Sequence, residues 1–163
     1  MKRAYIALAA IVAACAALFT GCDNGYDCSL ENTAYNRIGF YRINGYGIEE
    51  KTEFSQTLTV SAMVNDTAKV VVNRIENASS LQLPMSYAQE CDTTIFSYPG
   101  GITDTLYITH ENIPYYISME CGTVMYHKIL DIRHTGNFID SAAIVNDYVN
   151  FDYNENIKLY LAE

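Results

Sequence analysis

Histidine and cysteine are the residue types best able to carry chemistry in this chain, which holds three of the first and five of the second. His127 and His134 lie seven positions apart with Asp131 between them. On an unbroken strand the faces alternate, so His127, Asp131 and Arg133 share one face and His134 takes the other. That pattern cannot close around a metal ion, and these histidines, with His110, are expected to be structural or solvated. Cys121-Gly122 with His127 has the residue types of a nucleophile and its base. Six residues along a strand exceed hydrogen-bond reach, and a bridged Cys121 is the simpler account. No cysteine pair has CxxC spacing, which removes a redox motif and a zinc knuckle. No nucleophile elbow, P-loop, dinucleotide fingerprint or EF-hand loop is present. The acidic residues fall mostly in turns and read as a solvated surface. The expectation is a protein that is not an enzyme, with no catalytic residue, no metal ligand and no cofactor.

The elements that would position these residues are strands, because the hydrophobic period is two. In Phe54–Val64, residues Phe54, Leu58, Val60, Ala62 and Val64 point one way and Ser55, Thr57, Thr59 and Ser61 the other. Such a strand has one wet face. Similar runs cover Thr33–Ile43, Lys69–Arg74, Ser80–Leu83, Thr94–Tyr98, Thr105–Thr109, Tyr115–Met119, Thr123–Arg133, Ile139–Val145 and Asn156–Leu161. Asn44-Gly45, Asn65-Asp66, Pro99-Gly100-Gly101, Asn112-Ile113-Pro114 and Gly136-Asn137 punctuate them as turns, and only Glu76–Ser80 has room for a helical turn. The expected fold is all-β: an antiparallel sandwich of about 8–10 strands, immunoglobulin-like or related, in which Thr123–Arg133 bends to serve both sheets.

Ahead of this domain, Lys2 and Arg3 precede an apolar run, Ala4–Leu18, and then Phe19-Thr20-Gly21-Cys22. This is the layout of a cleaved secretory signal, too short and wrongly flanked for a membrane span. Small residues before Cys22 mark it as the site of lipidation by diacylglycerol. Cys15, after Val12-Ala13-Ala14, is a weaker match because its apolar segment is close to the minimum length. The expected organisation is a signal peptide over 1–21, lipidated Cys22 and a short tether over 22–30, and one β-domain over 31–163. Lys2 and Arg3 leave with the signal, so ten cations fall to eight against nineteen acids and the net charge moves from −9 to −11. An acidic surface of this kind excludes nucleic acid and electrostatic membrane binding, leaving the acyl chains on Cys22 as the attachment to the bilayer.

Lipidation of Cys22 leaves Cys28, Cys91 and Cys121 in an oxidising compartment. A Cys28–Cys121 bridge would tie the N-terminal segment to the domain and leave Cys91 a free thiol; other pairings, or none, stay open. Tyr occurs fourteen times and Trp not at all. Most of these tyrosines suit a half-buried pleat, body inward and hydroxyl wet. Tyr115-Tyr116 beside Pro114 is the pair that suggests a contact surface. Asp66-Thr67, Asp92-Thr93, Asp104-Thr105 and Asp140-Ser141 each place a hydroxyl residue after Asp and before an apolar residue or Thr. This is similar to an O-glycosylation acceptor pattern of exported Bacteroidetes proteins, and makes Thr67, Thr93, Thr105 and Ser141 candidate sites. Local turn chemistry is the alternative.

Several segments together carry a family resemblance: Cys28 with Asn32, Tyr35 and Gly39-Phe40-Tyr41; Leu81-Gln82-Leu83-Pro84; Cys121-Gly122-Thr123 with His127; Arg133-His134-Thr135; Ile139-Asp140-Ser141; Asn146 with Val149-Asn150; and Glu155 to Tyr160. The chain resembles an uncharacterised family of small Bacteroidetes lipoproteins over most of Cys28–Leu161, most closely across Cys121–Tyr160. The resemblance implies an outer-membrane address, supplies no catalytic residues, and implies that Cys91 departs from the pattern. It also implies a neighbouring outer-membrane β-barrel protein as partner. The functional expectation is therefore an accessory or interaction subunit of a β-barrel complex, in barrel assembly or transport. A glycan-binding module of the cell envelope is the alternative. Whether the domain faces the periplasm or the outside is left open by the sequence.

Overall fold

The computed structural model describes residues 33–162. The expected signal peptide, Cys22, Cys28 and the tether lie outside the described residues. Eleven strands follow in order: β1 (Tyr35–Ile43), β2 (Glu49–Lys51), β3 (Leu58–Val64), β4 (Thr67–Ile75), β5 (Ser80–Pro84), β6 (Cys91–Ser97), β7 (Thr103–Ser118), β8 (Gly122–His134), β9 (Ile139–Ile144), β10 (Tyr148–Val149) and β11 (Ile157–Leu161). They form two sheets. One has the order β2-β1-β11-β9 with β5 also paired to β1, and the other β10-β8-β7-β6-β3-β4. The expected β-sandwich is the fold observed. All pairings are antiparallel except β1 with β11. Between the sheets lies a core that includes Ile38, Phe40, Leu58, Val60, Phe96, Leu106, Ile157 and Leu159, all essentially inaccessible. Phe54, Tyr98 and Phe138 stack at one end of it, with ring centroids 4.5–6.1 Å apart.

Period-two patterning locates the long strands, and four details differ from it. First, Asn112-Ile113-Pro114 is not a turn; β7 runs straight through it for 16 residues. Past Thr109 the ladder partner on the β6 side ends, leaving β8 as the paired neighbour. A proline is tolerated on such a half-paired stretch because the missing N–H can face the open side. Second, Glu76–Ser80 holds no helical turn. Asn77 takes a left-handed φ of 52° and Ala78 bridges to Phe54, so the segment is a bend that feeds β5. Third, β8 serves only the six-stranded sheet, paired to β7 and β10. Fourth, β2 and β10 are three and two residues long, too short to show a period.

The β3–β4 turn, Asn65-Asp66, has positive φ at both residues (49° and 59°), the signature of a type I′ hairpin. The β7–β8 hairpin closes instead through Met119–Cys121, where the Ser118 hydroxyl accepts the Glu120 and Cys121 amides and Gly122 supplies a φ of 70°. Edge strand β4 carries two register shifts against β3 and turns Lys69 toward the inner side, devices that discourage further strand addition.

Candidate interaction surfaces and buried polar clusters

A single bulge in β8 decides where the histidines go. Thr109 pairs with Asp131 but His110 pairs with Ile129, so Leu130 is an extra residue. The bulge reverses the alternation. His127, Ile129, Ile132 and His134 therefore share the inner face, while Asp131 and Arg133 turn outward and pair with each other at 3.6 Å. This corrects the expectation that His127 shares a face with Asp131 and Arg133. His127 and His110 are both buried, their rings edge to face at 5.2 Å.

The loop after β5 closes over this pair. Asp92 accepts the Ser86 amide through both oxygens and lies 3.1 Å from His110 Nε2. That close approach is off the line of an N–H bond, and His110 Nδ1 and His127 Nε2 also lack partners. Asn112 donates through Nδ2 to the carbonyls of Tyr87 and Gln89, which fixes its orientation and presents Oδ1 to His127 Nδ1 at 2.7 Å. The proton of neutral His127 is thereby placed on Nδ1. Burial, and then the neighbouring His110, lower the pKa of His127 to about 4. Among the described residues no three His, Cys, Asp or Glu side chains gather in a geometry that could hold a metal ion. Cys121 is disulfide-bonded, with its partner outside the described residues, so it offers no thiolate to His127; Cys91 is free and exposed.

About six residues back along β7, Asp104 is fully buried and organises the opposite end of the sandwich. It accepts from Thr135 Oγ1 (2.9 Å) and from the amides of Asn137 (2.8 Å), Phe138 (2.6 Å) and Ile139 (3.1 Å), with the Tyr98 hydroxyl at 3.3 Å. One carboxylate thus ties the six-stranded sheet to the start of β9 in the other. Burial alone would raise its pKa, but the donors outweigh it and hold Asp104 below the usual carboxylate range. Burial, followed by the adjacent charge, pushes the Tyr98 hydroxyl up.

These two aspartates account for part of the Asp-hydroxyl pattern. Asp92 and Asp104 point inward to structural tasks, so alternation turns Thr93 and Thr105 to the outer face. Thr67 sits at the β3–β4 hairpin and Ser141 on β9, both exposed. Tyr115 and Tyr116 are adjacent on β7 and so occupy opposite faces: they do not form one patch. Tyr115 stacks on Tyr126 at 4.5 Å, while Tyr116 stands free of that stack and 56 % exposed.

The outer faces of the two sheets differ in character. On the five-stranded sheet, Lys158 and the Tyr160 hydroxyl both bond Glu49, Tyr41 bonds Glu155 at 2.8 Å, and Lys51 pairs with Glu155 at 3.8 Å. The Lys158 ammonium and then the Tyr160 hydroxyl lower the Glu49 pKa. Gly39 leaves room for that carboxylate, since a Cβ there would meet Glu155 Oε2 at 2.0 Å and push the side chain aside. On the six-stranded sheet the outward residues of β3, β6 and the first half of β7 are Thr59, Ser61 and Met63, then Thr93, Ile95 and Ser97, then Thr103, Thr105, Tyr107 and Thr109. None is charged. Sequence reasoning overlooked this strip, although its signal was present as uncharged residues at every second position of three strands.

Fold and surfaces together define a β-sandwich domain with two buried polar clusters and an uncharged strip on one outer face. A family model described as a family of unknown function (DUF6452) matches residues 57–161, and the chain belongs to that family. No curated protein and no solved structure matches it.

Proposed function

We propose that this chain is a non-catalytic, lipid-anchored interaction protein of the outer membrane of a Bacteroidetes bacterium. It acts as an accessory subunit of a β-barrel protein in barrel assembly or transport. The observation that carries the reading is the uncharged strip across β3, β6 and β7 in a chain of net charge −9. An acidic protein that keeps β3, β6 and the first half of β7 free of charge on their solvent side presents a surface suited to protein contact. Acylated Cys22 would hold that surface at the membrane, where tethering raises its effective concentration for a barrel partner.

Glycan binding is the second reading, favoured by a cleft beside β1 where Arg37 lies 4.3 Å over the Tyr153 ring, with Gln82 and Glu155 alongside. Its volume of about 180 Å³ is below the range of ligand pockets, which begins at roughly 300 Å³. Protein contact therefore ranks first.

The test is purification of the tagged, lipidated chain from its native outer membrane in gentle detergent, with quantitative mass spectrometry of what accompanies it. A β-barrel protein in near-equal amount is expected, and its loss in the double variant Ile95→Lys/Thr105→Lys with unchanged thermal stability. Recovery of the chain alone overturns the reading. Intact mass decides at the same time whether Thr93 or Thr105 carries a glycan, which would cover the same strip.

A further inference from the structure

The sandwich has one end at which the described chain begins, and that end is ringed by tyrosine. Tyr35 opens β1, and Thr33 just before it meets the Tyr87 hydroxyl at 3.4 Å. The Tyr87 carbonyl in turn accepts from Asn112 on β7, from which the β7–β8 hairpin projects. Tyr153 lies shortly before β11, which runs parallel to β1 and so starts at the same end. Tyr35, Tyr87, Tyr115, Tyr116 and Tyr153 are between 38 % and 63 % exposed. At the far end the β1–β2 turn exposes Tyr46, and Tyr107 is exposed midway along β7.

The hairpin itself carries no charge from Ile113 to Met119. Its two faces are both aromatic, since Tyr115 and Tyr116 point opposite ways, and Met119 at the tip is 89 % exposed. A flat protein partner meets one face of a hairpin. A projection that is aromatic on both faces and uncharged up to its closing turn, where exposed Met119 stands beside Glu120, suits a medium that surrounds it. Tyrosine is favoured at the membrane–water boundary, where the ring lies among the headgroups and the hydroxyl stays wet.

We infer that this end of the sandwich rests on the bilayer, with the β7–β8 hairpin set into the headgroup layer as a second attachment beside the acyl anchor. The inference builds on the lipid-anchored reading above. Ten residues separate Cys22 from Thr33, and they join the sandwich at this end, so a lipidated Cys22 is attached nearer to it than to the Tyr46 end. The disulfide-bonded Cys121 lies in the closing turn of the same hairpin. Glu111 and Glu120 bracket the uncharged stretch, which favours a zwitterionic over an anionic surface.

The chain contains no tryptophan, so a single introduced one reports its own surroundings. The full lipidated chain is reconstituted into phosphatidylcholine vesicles as Tyr116→Trp, Met119→Trp or Tyr46→Trp, and fluorescence is read with doxyl-labelled lipid quenching near the headgroup. Flotation with the vesicles, against Cys22→Ser, reports the anchor separately. Tyr116→Trp and Met119→Trp are expected to lose about half their emission and shift to the blue, with Tyr46→Trp unchanged. A chain that floats but leaves both tip reporters unquenched overturns the inference while the anchor stands, and equal quenching at Tyr46→Trp overturns the orientation. Blue-shifted emission without lipid quenching would put a protein over the tip and also overturn it. A lipidated preparation that does not float removes the anchored reading and this inference with it.

Discussion

The two ends of the sandwich bury polar groups in opposite ways. At one, Asp104 receives three backbone amides, a threonine hydroxyl and a tyrosine hydroxyl, so its charge is fully used. At the other, roughly 20 Å along the same face of β7, His110 and His127 keep three ring nitrogens without well-formed hydrogen bonds under the loop after β5. A satisfied buried charge fastens two sheets together. Buried imidazoles with spare nitrogens contribute less, and it is burial under the loop that keeps His127 neutral. The difference teaches that the Tyr46 end is built for stability and the tyrosine-ringed end tolerates a polar cost.

The strongest way to break this contrast is Asp104→Ala. It leaves several buried donors unpaired, and an unfolding free energy lower by about 4 kcal/mol is expected by urea denaturation. Asp104→Asn keeps one acceptor oxygen and should cost about half as much. Because the folded pKa of Asp104 lies below the unfolded value of about 3.9, its contribution is complete above that value and is lost only as pH falls further. Between pH 5 and 8 the cost of Asp104→Ala should therefore be constant. A cost below 1 kcal/mol would mean that the two ends are equivalent.

The opposite end should respond at milder acidity. His127 is neutral in the folded chain down to about pH 4, whereas in the unfolded chain it takes up its proton around the ordinary imidazole value of 6.5. The unfolded state binds more protons throughout that window, so stability falls as pH drops, by about 3 kcal/mol in all. His127→Gln removes the titration and should flatten the profile between pH 7 and 4.5 in denaturation curves. A wild-type profile that is already flat there would show the imidazole to be hydrated.

Much of this architecture was legible in advance, and what was not has physical causes. Alternation along Leu58–Val64 and Ile157–Leu161 marks strands because one face is buried. A two-residue strand such as β10 cannot show alternation, and Pro114 reads as a turn unless it is known that one side of β7 is unpaired. The clusters themselves were hidden. His110 and His127 come together only because Leu130 is extruded, and a bulge leaves no mark in composition. Asp104 looked like part of a surface acceptor pattern because its donors lie more than thirty residues downstream.

Asn112 tests the smaller part of the contrast, namely how far the loop after β5 depends on one side chain. It holds the carbonyls of Tyr87 and Gln89 and accepts from His127, three contacts from a single amide. Asn112→Ala should cost about 1–2 kcal/mol, since the two carbonyls can turn to water while His127 Nδ1 cannot. The more specific readout is hydrogen exchange at the His110 amide, which donates to Glu90 at the end of the same loop. Exchange there should quicken in the variant by more than the global loss of stability accounts for, with the amides of Phe138 and Ile139 at the Asp104 end changing only in step with it. Equal acceleration at both sites would show that the loop opens only when the whole domain unfolds.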